Sequence, residues 1–425
     1  MRVFLDSVGC RLNQAEIESM ARQFRAAGHE IVAAAECADL SVVNTCSVTA
    51  EAVSDSRSKI RRLARLGGAQ IVATGCWATL QPGQAAELPR VSLVVPNDLK
   101  DRLVRDMLQI PENVFDAEPV ARMPLPGARR RTRAFIKVQD GCDNRCAFCV
   151  TTIARGDGRS RSLAEVIADV ALALRGGAKE IVLTGVHLGS WGQDFGMRLS
   201  NLVHAILRET DAPRVRLSSL EPWDLDAEFF ELWEDRRLCS HFHLPLQSGC
   251  ASTLKRMARK TTPTAFKALV AAARAVVPDA AITTDVIAGF PGETENEFLA
   301  SLDFVREMHF AGGHAFTYSP MAGTTAACMR DQVPMEERRR RNRMYLRAFE
   351  EAAHAFRLSH VGDRRPVLWE SATREGGGAW KLSGLTDNYI RVKAEAAAPR
   401  WNKIDEVGLR EEVGDSILGI VGNTG

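Results

Sequence analysis

The stretch Gly141-Cys-Asp-Asn-Arg-Cys-Ala-Phe-Cys149 sets Cys142, Cys146 and Cys149 in a C-x3-C-x2-C pattern. The chain holds ten cysteines in 425 residues, so chance alone produces such a triple in fewer than about one chain in a hundred. Three thiolates can hold three corners of a cubic iron–sulfur cluster and leave the fourth iron open to a small-molecule ligand. The pattern therefore predicts a metal cluster with one open corner.

Zinc is the alternative metal for this loop. It prefers four protein ligands in a closed tetrahedral site, and His187 or another cysteine would be the fourth. The spacing of the three cysteines does not separate the two metals. With either metal the thiols act as ligands and not as disulfides, which is typical of a reducing compartment.

Composition excludes several protein classes. The chain is 45% hydrophobic and 25% charged, which excludes collagen-like, mucin-like and wholly disordered proteins. No apolar run reaches the roughly 18 residues that span a bilayer, and the first residues lack the apolar core of a secretory signal. We therefore expect a cytoplasmic protein without a membrane partner. Lysine and arginine total 55 against 53 acidic residues, so net charge neither implies nor excludes a nucleic-acid partner.

The cysteine loop follows the first of six predicted strands in the central part of the chain. A helical pattern separates the strands, and two helices begin with capping boxes, Ser162 with Glu165 and Thr294 with Glu297. Six strand–helix units predict a partial (β/α) barrel, since a complete barrel has eight. The predicted strands cover 134–138, 180–183, 214–217, 241–244, 281–287 and 313–317.

The first part of the chain also alternates strands and helices, which predicts a parallel sheet covered by helices. Cys10, Cys46 and Cys76 lie beyond predicted strands at 2–5, 40–43 and 71–73. The carboxyl ends of parallel strands share one edge, where open α/β folds bind ligands. The three thiols can therefore converge, although they are 36 and 30 residues apart. They can equally be ordinary buried cysteines.

Polar residues follow other strands of the predicted barrel, on the face where α/β barrels carry their chemistry. His187, Glu221, Gln247 and Glu293 each come after a different strand. A polar residue in such a position is more often a turn or capping residue. The shared edge with the cysteine loop nevertheless favours a binding site, and glycines in these loops let a ligand approach the backbone.

The last part of the chain has a different pattern. A charged helix is predicted over 335–360, with four arginines at 338–341, and the short strands that follow predict a small β-barrel. A second basic run, 129–133, lies in a proline-rich linker. Each run is either a solvated surface or a set of phosphate contacts. The predicted domains are 1–120, 134–360 and 362–425.

Seven further stretches complete the pattern. They are Gly9-Cys-Arg-Leu-Asn-Gln14, Val43-Asn-Thr-Cys-Ser-Val-Thr49, Thr74-Gly-Cys76, Lys137-Val-Gln-Asp-Gly-Cys142, Leu183-Thr-Gly-Val-His-Leu-Gly189, His243-Leu-Pro-Leu-Gln-Ser-Gly249 and Asp285-Val-Ile-Ala-Gly-Phe-Pro-Gly-Glu293. With Phe148 before the last loop cysteine, they resemble the radical S-adenosylmethionine (SAM) methylthiotransferase family over nearly the whole chain. The resemblance is greatest to the branch that acts on N6-threonylcarbamoyladenosine in tRNA. The stretch Leu385-Thr-Asp-Asn-Tyr-Ile-Arg391 resembles the TRAM RNA-binding module.

The resemblance implies a transferase that methylthiolates C2 of N6-threonylcarbamoyladenosine just 3′ of the anticodon of tRNA. It implies a radical-generating [4Fe–4S] cluster on Cys142, Cys146 and Cys149, and an auxiliary [4Fe–4S] cluster on Cys10, Cys46 and Cys76. It also implies SAM, a one-electron reductant, a sulfur donor and the tRNA anticodon stem-loop as partners. The basic runs and the terminal barrel would contact RNA. The residues expected to contact SAM are Phe148, Gly185, His187, Glu221, Gln247, Ile287 and Gly289.

The sequence departs from the family pattern at two places, and it is open to two other interpretations of its function. Relatives commonly carry a proline and an aromatic residue where this chain has Val150-Thr-Thr-Ile-Ala-Arg-Gly156, and a tyrosine where it has Trp191. One alternative is a sister methylthiotransferase acting on N6-isopentenyladenosine in tRNA or on a ribosomal-protein aspartate. The other is a non-catalytic RNA-binding protein with zinc at the cysteines.

Overall fold

The computed structural model describes residues 1–111, 132–374 and 377–422. In that part of the chain a five-stranded sheet comes first, an open arc of six strands follows, and a closed five-stranded barrel comes last. The predicted α/β class, with its parallel sheet, partial barrel and terminal β-barrel, is confirmed. None of the described helices combines the length and apolar character that a membrane crossing requires.

The N-terminal region is a parallel sheet with the strand order β2-β1-β3-β4-β5. Its elements are β1 (Arg2–Ser7), α1 (Arg11–Ala26), β2 (Glu30–Ile31), β3 (Leu40–Thr45), α2 (Ala50–Leu66), β4 (Gln70–Gly75), α3 (Cys76–Leu80), α4 (Pro82–Ala86), β5 (Val91–Val95) and α5 (Leu103–Leu108). Adjacent residues of a strand face opposite sides of a sheet. Val42 of β3 packs on the α1 side and Val43 on the α2 side. Both sides are buried, which explains why these strands are continuous apolar runs.

The central region is an open barrel in which helices cover the outer face of the strands. Its elements are β6 (Arg133–Lys137), β7 (Gln139–Asp140), α6 (Thr151–Arg155), β8 (Arg159–Ser160), α7 (Leu163–Arg175), β9 (Glu180–Thr184), α8 (Leu199–Glu209), β10 (Val215–Leu217), α9 (Ala227–Phe230), β11 (His241–His243), α10 (Ala251–Arg256), α11 (Pro263–Val276), β12 (Ala281–Ala288), α12 (Glu295–Glu307), β13 (Gly312–Thr317) and α13 (Met335–Ser359). The six predicted strands are β6, β9, β10, β11, β12 and β13. Both predicted capping boxes are present, at the starts of α7 and α12.

Two parallel sheets make up the open barrel, β6-β9-β10 and β11-β12-β13. A backbone bridge between Ser219 and His243 joins them into one arc. Trp191, which replaces the tyrosine usual in the family, is fully buried in the core outside this arc, and its indole N–H donates to the Arg161 carbonyl oxygen at 3.0 Å. The larger ring is therefore accommodated as a core residue with its polar atom paired.

The terminal region is a closed barrel that docks on the base of the central one. It consists of β14 (Arg364–Thr373), β15 (Trp380–Thr386), β16 (Arg391–Ala396), β17 (Ile404–Val413) and β18 (Ser416–Val421). Glu180, buried at the start of β9, pairs with Arg216 at 2.7 Å and Arg214 at 3.0 Å. These guanidinium groups donate to main-chain oxygens of residues 385–387. The buried ion cluster of Glu180 with Arg214 and Arg216 thus holds in place the turn that carries the TRAM-like stretch.

Two of the four arginines in the run 338–341 are buried and do not form a phosphate-binding surface. Arg338 and Arg341 of α13 are buried, since positions three residues apart share the helix face that packs on the barrel. Arg338 donates to the Tyr318 carbonyl oxygen at 2.9 Å and Arg341 pairs with Glu293 at 2.8 Å. The expectation that these two residues contact RNA is therefore wrong. Of the run 129–133, residues 129–131 lie outside the described residues.

Candidate functional site

The cysteine loop lies between β7 and α6, beyond the carboxyl end of the first barrel strand. All three of its thiols accept an N–H hydrogen bond. The donors are the Asn144 amide for Cys142 at 3.4 Å, the Thr151 amide for Cys149 at 3.4 Å and Arg259 Nη1 for Cys146 at 3.7 Å. Such hydrogen bonds favour thiolates and tune the potential of iron–sulfur clusters. The donor set therefore fits a cluster held by three sulfurs.

The loop thiols lie close enough to influence one another. Burial raises the pKa of Cys146 and of Cys149. Cys149 adds to the effect on Cys146, and Cys142 adds to the effect on Cys149, because nearby negative charges oppose each other. A bound metal cluster would remove this cost by neutralising the three sulfurs.

A second triad of thiols lies at one edge of the N-terminal sheet. Cys10, Cys46 and Cys76 follow β1, β3 and β4, which are neighbouring strands. Burial is the main cause that raises the pKa of Cys46 to about 11, and the nearby Cys10 and Cys76 thiols add to it. A Cβ atom on Gly9, whose φ is +93°, would lie 2.5 Å from Cys46 Sγ. Only glycine lets the β1 loop come this close to the thiol.

Neither triad is arranged for a single ion. Across residues 1–111, 132–374 and 377–422, no three His, Cys, Asp or Glu side chains converge tightly enough to share one metal ion.

The loop after β9 reaches the cysteine loop through Gln139. Its Oε1 atom accepts the His187 amide N–H at 2.8 Å, and its Nε2 atom donates to the Gly141 carbonyl oxygen at 2.8 Å. Gly185 lies against the same side chain. Two of the predicted SAM contacts, Gly185 and His187, are thus adjacent to the start of the cysteine loop.

The imidazole of His187 is buried, and both of its nitrogens have protein partners. Nδ1 lies 3.2 Å from the Asn144 side-chain amide, and Nε2 bonds to Asp224. Burial lowers the pKa of His187, but hydrogen bonds to Asp224 and Cys142 outweigh it and raise the pKa to about 10. His187 is therefore a neighbour of Cys142 whose ring nitrogens are already engaged, which argues against it as a fourth zinc ligand.

Glu221 reaches the cysteine loop through an arginine. Its Oε2 atom pairs with Arg259 Nη2 at 2.7 Å, while Arg259 Nη1 donates to Cys146. The guanidinium also lies 4.4 Å from the centroid of the Trp223 ring. Glu221 therefore orients the cation that bonds to one loop sulfur.

An apolar cluster borders the loop on the side of β12. Phe148 packs edge-to-face on Phe290 with ring centroids 6.5 Å apart, and Ile287 joins the same cluster. Gly289, with a φ of +72°, lies against α13, where a Cβ atom would come within 2.5 Å of Arg338 Cγ. The predicted contacts Phe148 and Ile287 thus lie together, and Gly289 supports the loop behind them.

The other two polar residues predicted at this edge of the barrel, Gln247 and Glu293, take part in hydrogen bonds that hold the main chain and α13 in place. Gln247 adopts a positive φ of 73°. Its N–H donates to the Asp285 carbonyl oxygen at 2.8 Å and its own carbonyl accepts from Ile287 at 2.9 Å. Glu293 is buried, accepts the Gly289 N–H at 2.8 Å and pairs with Arg341. It therefore anchors α13 rather than facing the cysteine loop.

A buried ion network that the sequence analysis missed connects the N-terminal triad to α6, the helix that follows the cysteine loop. Arg155, at the end of the helix after the cysteine loop, donates to Glu16 Oε1 at 3.0 Å and to Asn13 Oδ1 at 2.9 Å. Asn13 in turn accepts from the Cys10 thiol at 3.7 Å. On the other side of Glu16, Lys100 Nζ lies 2.7 Å from its Oε2. The only signal in the sequence is an acidic residue on the apolar face of α1.

Another thiol of the assembled triad (Cys10, Cys46 and Cys76) is tied to the same network. Asn97 Nδ2 donates to Cys76 Sγ at 3.6 Å and to the Ala154 carbonyl oxygen at 2.7 Å. Its Oδ1 atom accepts from Lys100 at 2.7 Å. Hydrogen bonds therefore run from Cys10 and Cys76 to α6, the helix that follows the cysteine loop, on both sides of Glu16.

Two stretches of the chain match known families. Residues 2–96 match the family described as Uncharacterized protein family UPF0004, and residues 136–305 match the Radical SAM superfamily. The first stretch carries Cys10, Cys46 and Cys76, and the second carries the cysteine loop.

The chain is also similar to named proteins over nearly its whole length. It is 34% identical to the threonylcarbamoyladenosine tRNA methylthiotransferase MtaB of Bacillus subtilis over 96% of this chain and 93% of that protein. It is 36% identical to MtaB of Thermotoga maritima over 92% of this chain and 90% of that protein. It is 31% identical to the tRNA-2-methylthio-N(6)-dimethylallyladenosine synthase of Cereibacter sphaeroides over 98% of both.

Solved structures support the same fold. The radical SAM methyltransferase TsrM from Kitasatospora setae, solved with cobalamin and a [4Fe-4S] cluster bound, is 18% identical, with a TM-score of 0.56 over 75% of this chain and 76% of its own. At such low identity the likeness concerns the fold alone. With the family matches and the full-length relatives, the chain belongs to the MtaB-type radical SAM methylthiotransferases, enzymes that use an iron–sulfur cluster and SAM.

Proposed function

We propose that this enzyme methylthiolates C2 of N6-threonylcarbamoyladenosine in tRNA, at the adenosine just 3′ of the anticodon. Three relatives whose names contain that nucleoside and tRNA are 32–36% identical to the chain. The anticodon stem-loop is then the RNA partner. Relatives named for dimethylallyladenosine are 31–32% identical over 98% of the chain, so the sister tRNA nucleoside is the second candidate.

Two [4Fe–4S] clusters are part of this proposal. Cys142, Cys146 and Cys149 would hold the cluster that binds SAM at its open iron, and the assembled triad would hold the auxiliary cluster. The observation that carries the proposal is the contact of Arg155 with Asn13 and Glu16. It joins the helix after the cysteine loop to the helix after Cys10, and so ties together, through buried hydrogen bonds, the two regions that would hold the clusters.

The residues of the chain bind and orient the reactants. The C2–H bond of adenine is strong and not acidic, so no acid–base side chain can break it. A cluster with SAM bound supplies the radical chemistry for that bond. Arg259 and the Asn144 amide donate to loop sulfurs, and the apolar cluster around Phe148 and Phe290 shields one side of the loop from water.

The test is a comparison of substrates under anaerobic conditions. Reconstituted enzyme is mixed with reductant, SAM and a sulfur source, and with anticodon stem-loop RNA carrying either N6-threonylcarbamoyladenosine or N6-isopentenyladenosine. We expect the 2-methylthio product and 5′-deoxyadenosine with the first RNA and little product with the second, measured by mass spectrometry of digested nucleosides. Product from the second RNA alone would assign the enzyme to the sister branch.

Metal analysis separates the enzyme from a zinc-containing RNA-binding protein. Two clusters give about eight irons and as much acid-labile sulfide per chain in anaerobically purified protein. Stoichiometric zinc without sulfide would contradict the proposal. A Cys146→Ala variant that retains full turnover would contradict it as well.

A further inference from the structure

The open edge of the central barrel exposes an aromatic side chain. β13 is the edge strand of the sheet β11-β12-β13. Gly313 of this strand lies against Phe349 of α13, so its neighbours His314 and Phe316 are on the opposite face, toward the inside of the arc. The Phe316 side chain is 41% exposed. A large exposed aromatic ring inside an enzyme barrel is a stacking surface for a flat ligand.

Phe316 is next to the predicted SAM region. It is the register partner of Ile287 on β12, and Ile287 packs in the same apolar cluster as Phe148 of the cysteine loop. A base stacked on Phe316 would therefore lie beside the loop triad. Proteins that recognise unpaired RNA bases commonly stack them on aromatic side chains in this way.

A polar wall continues from Phe316 toward the base of the barrel. His314 Nδ1 lies 3.0 Å from Asp285 Oδ1, and His243 Nε2 lies 3.2 Å from Asp285 Oδ2. The His314 side chain is 70% exposed. Asp285 thus holds two imidazoles in place and leaves one of them facing the opening.

A guanidinium group comes to this wall from the N-terminal region. Arg11 directly follows Cys10 and is the first residue of α1. Its Nη2 atom donates to Tyr389 Oη at 2.8 Å, and the Tyr389 ring stacks on His241, at the start of the strand that carries His243, with ring centroids 4.5 Å apart. The positive charge of Arg11 also lowers the pKa of His314, although Asp285 raises that pKa more strongly. Within the described residues no carboxylate pairs with Arg11. Most of its five donors therefore remain available for a ligand.

We propose that this opening binds the modified adenine of the tRNA substrate, with Phe316 stacking on the base and Arg11 pairing with the carboxylate of the threonylcarbamoyl group. The inference rests on the proposed function and adds to it the residues that recognise the substrate. A guanidinium fork matches a carboxylate through two parallel hydrogen bonds. An isopentenyl group has no carboxylate, so Arg11 would favour the threonylcarbamoyl substrate over the sister one.

The test uses two stem-loop RNAs that differ only in charge. One carries N6-threonylcarbamoyladenosine, and the other carries its carboxamide, in which the threonine carboxylate is an uncharged amide. The wild-type enzyme should prefer the acid in kcat/KM by about tenfold to a hundredfold, as expected for a charge-assisted hydrogen bond. Arg11→Gln should bring this ratio close to one, while Arg61→Gln, which removes an exposed arginine of α2, should leave it unchanged.

Because Arg11 is next to Cys10, the affinity of each RNA is also measured without SAM by fluorescence anisotropy. This readout does not depend on turnover, and iron content reports whether the clusters are retained. The ratio between the acid and the amide RNA is then compared in Arg11→Gln and in the wild type. If neither kcat/KM nor affinity shows a change in this ratio, the role of Arg11 is overturned. A wild-type enzyme that modifies neither RNA overturns the proposed function instead.

Phe316 is tested with the same two RNAs. Phe316→Ala should weaken the binding of both RNAs by about tenfold, since stacking on the base does not depend on its N6 substituent. Phe316→Trp should restore binding. Unchanged affinity in Phe316→Ala would overturn the stacking role.

Discussion

The two cysteine triads occupy similar surroundings but are built differently. Cys142, Cys146 and Cys149 belong to one loop, and backbone amides two residues away donate to two of their sulfurs. The assembled triad comes from three strand ends, and Asn97, 21 residues from Cys76, donates to one of its thiols. Local sequence therefore sets the spacing of the first triad, with one further donor, Arg259, supplied by the barrel, whereas the second triad exists only when the sheet has formed.

Cysteine substitutions give the largest expected effects and distinguish the triads. Cys146→Ala should abolish both 5′-deoxyadenosine formation and methylthiolation, because SAM has no open iron to bind. Cys46→Ala should abolish methylthiolation but keep deoxyadenosine formation. Iron should fall from about eight to about four per chain in either variant. The measurements are anaerobic iron analysis and quantification of both products.

Cys37→Ala is the matched control, since Cys37 is exposed on a short turn of the same domain. It should retain iron and both products. Loss of deoxyadenosine formation in Cys46→Ala together with full iron at the loop triad would show that the two triads do not have separate roles.

The sequence predicts the loop triad and the architecture but not the link between the triads. Strands buried on both faces are continuous apolar runs, and capping boxes use residues three positions apart. Both can therefore be recognised from a few consecutive residues of the sequence. Glu16 and Arg155 are 139 residues apart. No local pattern connects them, and burial of a charge becomes interpretable only when its partner is known. The arginines of α13 were misinterpreted for a related reason. A run of four basic residues suggests an exposed surface, but the sequence alone does not reveal that Arg338 and Arg341 face the barrel.

Glu16→Gln tests the dependence of the assembled triad on tertiary structure. Burial alone would raise the pKa of Glu16, but Lys100, Arg155 and Lys137 outweigh it and hold the pKa well below its ordinary value. Removing this charge leaves buried cations without their partner and should cost about 3–5 kcal/mol of unfolding free energy. Denaturant unfolding measures this cost.

The same variant should lose iron from the assembled triad before the loop triad, since Arg155, which donates to Asn13 next to Cys10, loses its charged partner. Asp101→Asn is the control, because Asp101 pairs with Lys137 but its side chain is 70% exposed. It should cost less than about 1 kcal/mol. Equal costs for the two variants would contradict the importance of the buried network.

Glu180 provides a comparison at the base of the barrel, where it is part of a buried ion cluster that contacts no cluster cysteine. Burial would raise its pKa, but Arg216 and Arg214 lower the pKa from 4.5 to about 2. Its stabilising effect is complete above pH 4.5 and is lost as the pH falls toward 2, a difference worth about 3 kcal/mol. Glu180→Gln should therefore lower stability at pH 7 and flatten its decline in acid. A decline as steep as in the wild type would contradict this assignment.

Substitutions of helix N-caps should have the smallest effects on stability. They test whether weakening one helix beside a triad is enough to loosen the metal bound there. Thr49 Oγ1, three residues after Cys46, accepts the Ala52 N–H at 3.1 Å at the start of α2, and Thr294 caps α12 in the barrel. Each substitution by alanine should cost about 1 kcal/mol. Thermal unfolding should register similar losses, but only Thr49→Ala should speed the loss of iron to a chelator, because α2 begins beside the assembled triad. If Thr294→Ala released iron equally fast, global stability would control both clusters, and the contrast between a locally built and an assembled triad would not extend to metal retention.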